Sequence, residues 1–216
     1  DNNNALHSFC HSNGKYHLMA CILSAASCNK WFCEEILKTD DYNKEQAKIT
    51  EEKLGNNKVY FLPYLMGERS PINDTDARGM FIGLCADTRR EDMIQAVLEG
   101  VAFAIKDNVE IARKEGIEIV KSTLCGGGAK SPLWQKIIAN VLTLQIDIPT
   151  TEQGPGYGAA MLAMVGDGEY ASVEECAKNF VEIKETLLPQ AEIVARYEKQ
   201  YLKFKEIYPS VKELYK

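Results

Sequence analysis

The sequence predicts a mixed α/β domain, and three observations carry that prediction. Asn13-Gly14 separates two short alternating runs, the mark of a β-hairpin and so of antiparallel pairing. From residue 117 onward, apolar strands alternate with helical stretches, which implies a parallel portion of sheet with helices on its faces. Residues 90–115 carry apolar side chains at every third or fourth position, which gives a long amphipathic helix with one stripe for a core.

In chain order, residues 5–22 read as two strands around Ser12-Asn13-Gly14. Residues 23–37 continue without Gly or Pro and read as a helix; residues 43–54 read as a polar surface helix. KVYFLPYL (58–65) is an apolar strand closed by Pro63, and MGERSPINDTDARG (66–79) is a long charged loop. MFIGL (80–84) is a strand, and the helix 90–115 is stopped by Gly116. IEIVKSTLC (117–125) is a strand. The next helix, 131–144, has Ser131 as N-cap and Pro132 at its first position. QIDIP (145–149) is a strand, GYGAAMLAMVG (156–166) a helix of small residues, 172–179 a short helix, and 190–207 a long amphipathic one. Nothing in the 216 residues reads as a repeat or a linker, so one domain spanning 1–216 is expected.

Composition narrows the function. The hydrophobic fraction of 45% is ample for a core, and the net charge of −6, with no basic stripe, argues against nucleic acid. No apolar run reaches the roughly 18–20 residues of a membrane helix, and Asp1-Asn2-Asn3-Asn4 is no signal peptide. The seven cysteines form no CxxC and read as reduced thiols of a cytoplasmic protein. His7, His11, His17 and Cys10 cluster in sequence, but their spacing on an alternating segment is poor for zinc, and no metal ligands are assigned.

LCGGGAKSPLW (124–134) sets three glycines between a strand end and a capped helix start. Ligands of α/β sheets bind outside the carboxyl ends of strands, and helix N-termini suit phosphate. A P-loop is excluded because Gly126-Gly127-Gly128 runs into Ala129-Lys130-Ser131 at the wrong spacing; a G-x-G-x-x-G fingerprint fails because its third glycine falls on Ser131. Alone, the triplet is equally well a tight turn.

It has company. GMFIGLCADTRREDMIQAVLEG (79–100) resembles the C-terminal signature of the FGGY carbohydrate kinases, with Gly79, Phe81, Gly83, Leu84, Asp92, Met93, Ala96, Leu98, Glu99 and Gly100 at the pattern's positions. LCGGGAKSPLWQKIIANVL is similar to that family's nucleotide-binding segment, and GPGYGAAMLA to its following small-residue helix. FLPYLMGERSPINDTDARG and HSFCHSNGKYHLMACILSAASCNKW resemble the xylulokinase branch. The resemblance runs from about Ala5 to the end of the chain.

The resemblance implies an actin-like, ribonuclease-H-like ATPase domain with a mixed sheet flanked by helices. It implies ATP and Mg²⁺ as nucleotide and ion, and a pentulose, D-xylulose in this branch, as phosphoryl acceptor. It assigns Gly126, Gly127, Gly128 and Ala129 to close backbone approach to the nucleotide, with Ser131 following. Some relatives have an amide side chain near Pro132 that reaches the base, so base recognition here must differ. Ala26 and Lys30 align with positions lining the ATP site, and Ser24 is a weaker candidate. Lys30 reads equally as a solvated helix lysine. Glu68, Arg69, Asp76 and Arg78 either border the cleft or form ion pairs shaping their loop, and Glu99 reads as structural.

The family's proton-accepting Asp belongs to a glycine-rich segment upstream of Asp1, as does the sugar-binding domain. This chain alone is therefore expected to phosphorylate little sugar. The expected partners are ATP, the sugar and its own N-terminal domain, with a homodimer through the hairpin or last helix as a further expectation. A kinase for ribulose, gluconate or glycerol, and a non-catalytic nucleotide-binding module, are the alternative readings.

Overall fold

The Asn-Gly signal folds as read: β1 (His7–Cys10) pairs antiparallel with β2 (Tyr16–Met19), and Gly14 takes the positive φ of +80° that the turn needs. This description rests on a computed structural model and covers residues 5–151 and 154–215. Ser24 precedes α1 (Ala25–Trp31), which continues as a π-helical stretch over Phe32–Ile36. The polar segment 43–54 does not form one helix. It folds as α2 (Tyr42–Gln46), capped by Asp41, and a separate 3₁₀ turn at Glu51–Lys53. The break falls where Ile49 buries its side chain in the core and Thr50 goes extended.

β3 (Tyr60–Leu62) pairs antiparallel with β4 (Met80–Ile82), setting Phe61 opposite Phe81 with ring centroids 4.6 Å apart. α3 (Arg90–Lys114) matches its periodicity, and at its start the Asp92 carboxylate accepts from Arg89 N–H at 2.9 Å. It is the axis of the molecule. Ile94, Val97, Leu98, Val101 and Phe103 are buried on it, and it touches α1, α4, α7 and β3. Gly100 permits the approach to β3: a Cβ there would lie 2.2 Å from the Phe61 carbonyl oxygen.

The second half is α/β. β5 (Lys121–Thr123) pairs parallel with β6 (Gln145–Pro149), and β6 pairs antiparallel with β7 (Ile183–Leu187), so this three-stranded sheet is mixed. α4 (Pro132–Leu142) joins β5 to β6 and ends on Thr143 in the left-handed conformation. α5 (Gly154–Gly166) and α6 (Val173–Phe180) lie between β6 and β7, and α7 (Ala191–Val211) packs back on α3 and α4.

The strands do not share a single sheet; the described residues form three separate sheets, β1-β2, β3-β4 and β5-β6-β7. The predicted strand 117–125 is paired only over Lys121–Thr123, and α7 runs four residues past 207, through Pro209. No helix among the described residues is long and apolar enough to cross a membrane.

Candidate functional site

The glycine triplet is built into a turn at the carboxyl end of β5. Leu124 N–H donates to the Asp147 carbonyl at 3.0 Å, so the ladder holds until the turn begins. Gly126 then adopts φ +81°, ψ −168°, a conformation that a side chain opposes. The chain tightens into a 3₁₀ turn over Gly127–Lys130, passes Ser131 in an extended conformation and enters α4. Ser131 Oγ accepts from Trp134 N–H at 3.1 Å, satisfying one orphan donor of the helix start. Trp134 fixes the depth of this end: its indole N–H donates to the Leu98 carbonyl of α3 at 3.0 Å.

Facing the turn are α1, which presents Ala26, Ser27 and Lys30, and α2, which presents Tyr42, Asn43 and Gln46. Together with Gly127, Gly128, Lys130, Ser131 and Trp134 they wall a cleft of about 640 Å³. A Cβ on Gly126 or Gly127 would meet nothing within 4 Å, whereas one on Gly128 would press the Trp134 ring at 3.2 Å. The first two glycines therefore leave open space in front of the backbone, and the third makes room for Trp134. This arrangement suits a ligand lying flat against main chain, with aromatic surface beside it.

Five of the sequence-predicted residues, Gly127, Gly128, Ser131, Ala26 and Lys30, meet on this cleft. Gly126 stands exposed at the mouth of the turn. Ala129 is buried beneath it, with its carbonyl accepting from Gln135 Nε2 at 2.5 Å. Ser24 is buried at the N-terminus of α1 and does not line the cleft. Lys30 is largely exposed and lies 3.9 Å from Glu34, so its charge sits on the rim. The α2 wall, with Tyr42, Asn43 and Gln46, was not legible in the sequence. Its one signal was Asp41, an N-cap residue whose carboxylate accepts from Lys44 N–H.

The charged loop 66–79 does not border the cleft. Glu68 is buried and accepts the backbone N–H groups of Leu23 and Arg69 at 3.0 and 2.8 Å, with burial raising its carboxyl above the ordinary range. Arg78 donates to the Thr75 and Ala77 carbonyls. The loop is thus shaped by charged side chains bonded to backbone. Glu99 is structural: its Oε1 accepts from Gln95 Nε2 at 2.7 Å and from Tyr197 O–H at 2.9 Å, tying α3 to α7.

The cleft residues do not make a magnesium site on their own. Asp41 is engaged in capping α2, Asp40 is the other carboxylate on the wall, and no cluster of three metal-ligating side chains occurs among the described residues.

The sequence model described as the FGGY family of carbohydrate kinases, C-terminal domain, matches residues 3–166. A xylulose kinase of Staphylococcus epidermidis is 34% identical over 210 residues, covering 97% of this chain and 42% of its own length. One from Escherichia coli K12 is 35% identical over 209 residues, covering 94% of this chain and again 42% of the relative. Among solved structures, a xyloylose kinase from Brucella ovis superposes with a TM-score of 0.89 at 35% identity, over 99% of this chain and 44% of that one. The chain therefore spans about two fifths of the length of the relatives it matches.

Proposed function

The chain belongs to the FGGY family of carbohydrate kinases, and from that premise we propose that it is the nucleotide-binding domain of an ATP-dependent xylulose kinase. The observation that carries the reading is the cleft between the glycine turn and α1–α2, where Gly127, Gly128, Ser131, Ala26 and Lys30 converge. In this reading ATP lies against the turn, its adenosine between α1, α2 and Trp134. The backbone N–H groups at the glycine turn face its polar parts. Mg²⁺ would arrive with the phosphates, neutralising their charge, with ligands drawn mainly from them and from water.

The reaction is transfer of the γ-phosphoryl group to a sugar hydroxyl, giving ADP, the sugar phosphate and a proton. This chain contributes binding and alignment of the nucleotide. The sugar site and the carboxylate that accepts the hydroxyl proton belong to an N-terminal domain, which is the first partner of this surface. D-Xylulose is the proposed acceptor because the xylulose kinases cited above match nearly the whole chain. Seven free cysteines are consistent with action in the reducing cytoplasm.

Calorimetric titration of this chain with ATP and Mg²⁺, followed by D-xylulose, tests the reading. The expected result is saturable ATP binding with no heat from the sugar. Absence of ATP binding, both here and with the N-terminal half of a relative fused upstream, would overturn it.

A further inference from the structure

Gln46 carries an unused donor at the cleft. It sits at the end of α2, 6% exposed. Its Oε1 lies 2.5 Å from Ser131 Oγ, and Ser131 Oγ in turn accepts from Trp134 N–H at 3.1 Å. The Ser131 hydroxyl donates to Oε1, so the amide oxygen lies towards Ser131 and the nitrogen away from it. Nε2 is buried and has no hydrogen-bond partner. Buried polar groups are nearly always paired, so a donor left over on the wall of a cleft calls for an acceptor from outside the protein.

On the reading given above, that acceptor comes from the nucleotide. Gln46 and Trp134 share the wall with Ala26 and Tyr42. The phosphates carry the charge and suit the glycine turn; the neutral amide suits a neutral acceptor. Adenine offers three, its ring nitrogens N1, N3 and N7. We propose that Gln46 is a specificity-determining residue that donates from Nε2 to a ring nitrogen of the adenine, held in place by the Trp134–Ser131–Gln46 hydrogen-bond chain. Nε2 is sealed from solvent in the unliganded fold, and rotation about the soft terminal amide torsion turns it towards the base on binding. The amide comes from α2, through its contact with Ser131, whereas Pro132 has none to give.

The test is a cycle of binding measurements on this chain. ATP and its 1-deaza, 3-deaza and 7-deaza analogues are titrated into the unaltered protein and into Gln46→Met, which keeps the volume and cannot donate. Gln46→Glu, which presents only acceptors when ionised, is the second variant should Gln46→Met fail to fold. One deaza analogue is expected to bind the unaltered chain about five- to tenfold more weakly than ATP. ATP is expected to lose a similar factor on either variant, and that analogue to lose nothing further. Tripolyphosphate, which has no base, should bind all proteins alike. If ATP binds but all three analogues bind as ATP does, or the same analogue penalty survives in the variant, the role of Gln46 is overturned and the cleft stands. If the unaltered chain binds neither ATP nor tripolyphosphate, the nucleotide reading falls and this inference falls with it.

Discussion

Gly126 and Gly127 are neighbours with different duties, and substitution separates them. Gly127 has ordinary backbone angles and open space where its Cβ would be. Gly127→Val should therefore fold and melt within about 0.5 kcal/mol of the parent while losing about tenfold or more in ATP affinity, because the new side chain fills the space the nucleotide needs. Gly126 holds φ +81°, so Gly126→Ala should cost stability, about 1–3 kcal/mol in urea denaturation. Unchanged ATP affinity in a folded Gly127→Val protein would remove that glycine from the binding surface. The triplet was legible because glycine between a strand and a capped helix is a local signal. Gln46 was not, because its role depends on Ser131, 85 positions away, and α2 offers no periodic apolar pattern to show which of its faces turns inward.

At the scale of elements, α3 was the most legible, since the spacing of Ile94, Val97, Leu98, Val101 and Ile105 spells a long helix with a core-facing stripe; what the stripe did not announce is that the middle of the helix, Ile94–Ala104, is buried all round. β7 was missed for the opposite reason. Its side chains are mostly exposed and include Lys184 and Glu185, so it has no apolar run to announce a strand; it exists because its backbone pairs with β6. The crossing of α3 over β3 makes a sharp prediction. The Cβ of Gly100→Ala would meet the Phe61 carbonyl oxygen at 2.2 Å, and backbone cannot swing aside as a side chain does. The variant should lose about 1–3 kcal/mol of stability, despite alanine's better helix propensity. A gain in urea midpoint would mean that α3 and β3 sit further apart than described.

At the scale of the whole molecule, the division into three sheets follows from where the core lies. Buried side chains of α3, α4 and α7 fill the centre; β3-β4 and the three-stranded sheet pack on this helical mass, while the β1-β2 hairpin is largely exposed and contributes nothing to the core cluster. Alternation in the sequence reports that strands exist; it does not report which strands join. The helical centre also desolvates two carboxylates, Glu99, which is buried, and Asp107, which is part-buried. Burial pushes Glu99 up to about 7, against the lowering effect of its bonds from Gln95, Tyr197, Gly55 N–H and Asn57. Burial likewise pushes Asp107 up to about 6, against its bond from Tyr201. In the unfolded chain both titrate at ordinary carboxylate values, so between about pH 4.5 and 7 the folded protein holds protons that the unfolded chain has released. The stability these two groups contribute is present below their ordinary values and is lost as pH rises through about 6–7. For Glu99 alone the loss between pH 5 and 8 is about 2 kcal/mol. Glu99→Gln keeps an oxygen to accept the same bonds and has nothing to titrate. Its unfolding free energy, measured in urea at pH 5 and pH 8, should fall less than the parent's by about that amount. Equal losses in parent and variant would show that Glu99 stays ionised in the fold and that the tie between α3 and α7 is made by a charged carboxylate.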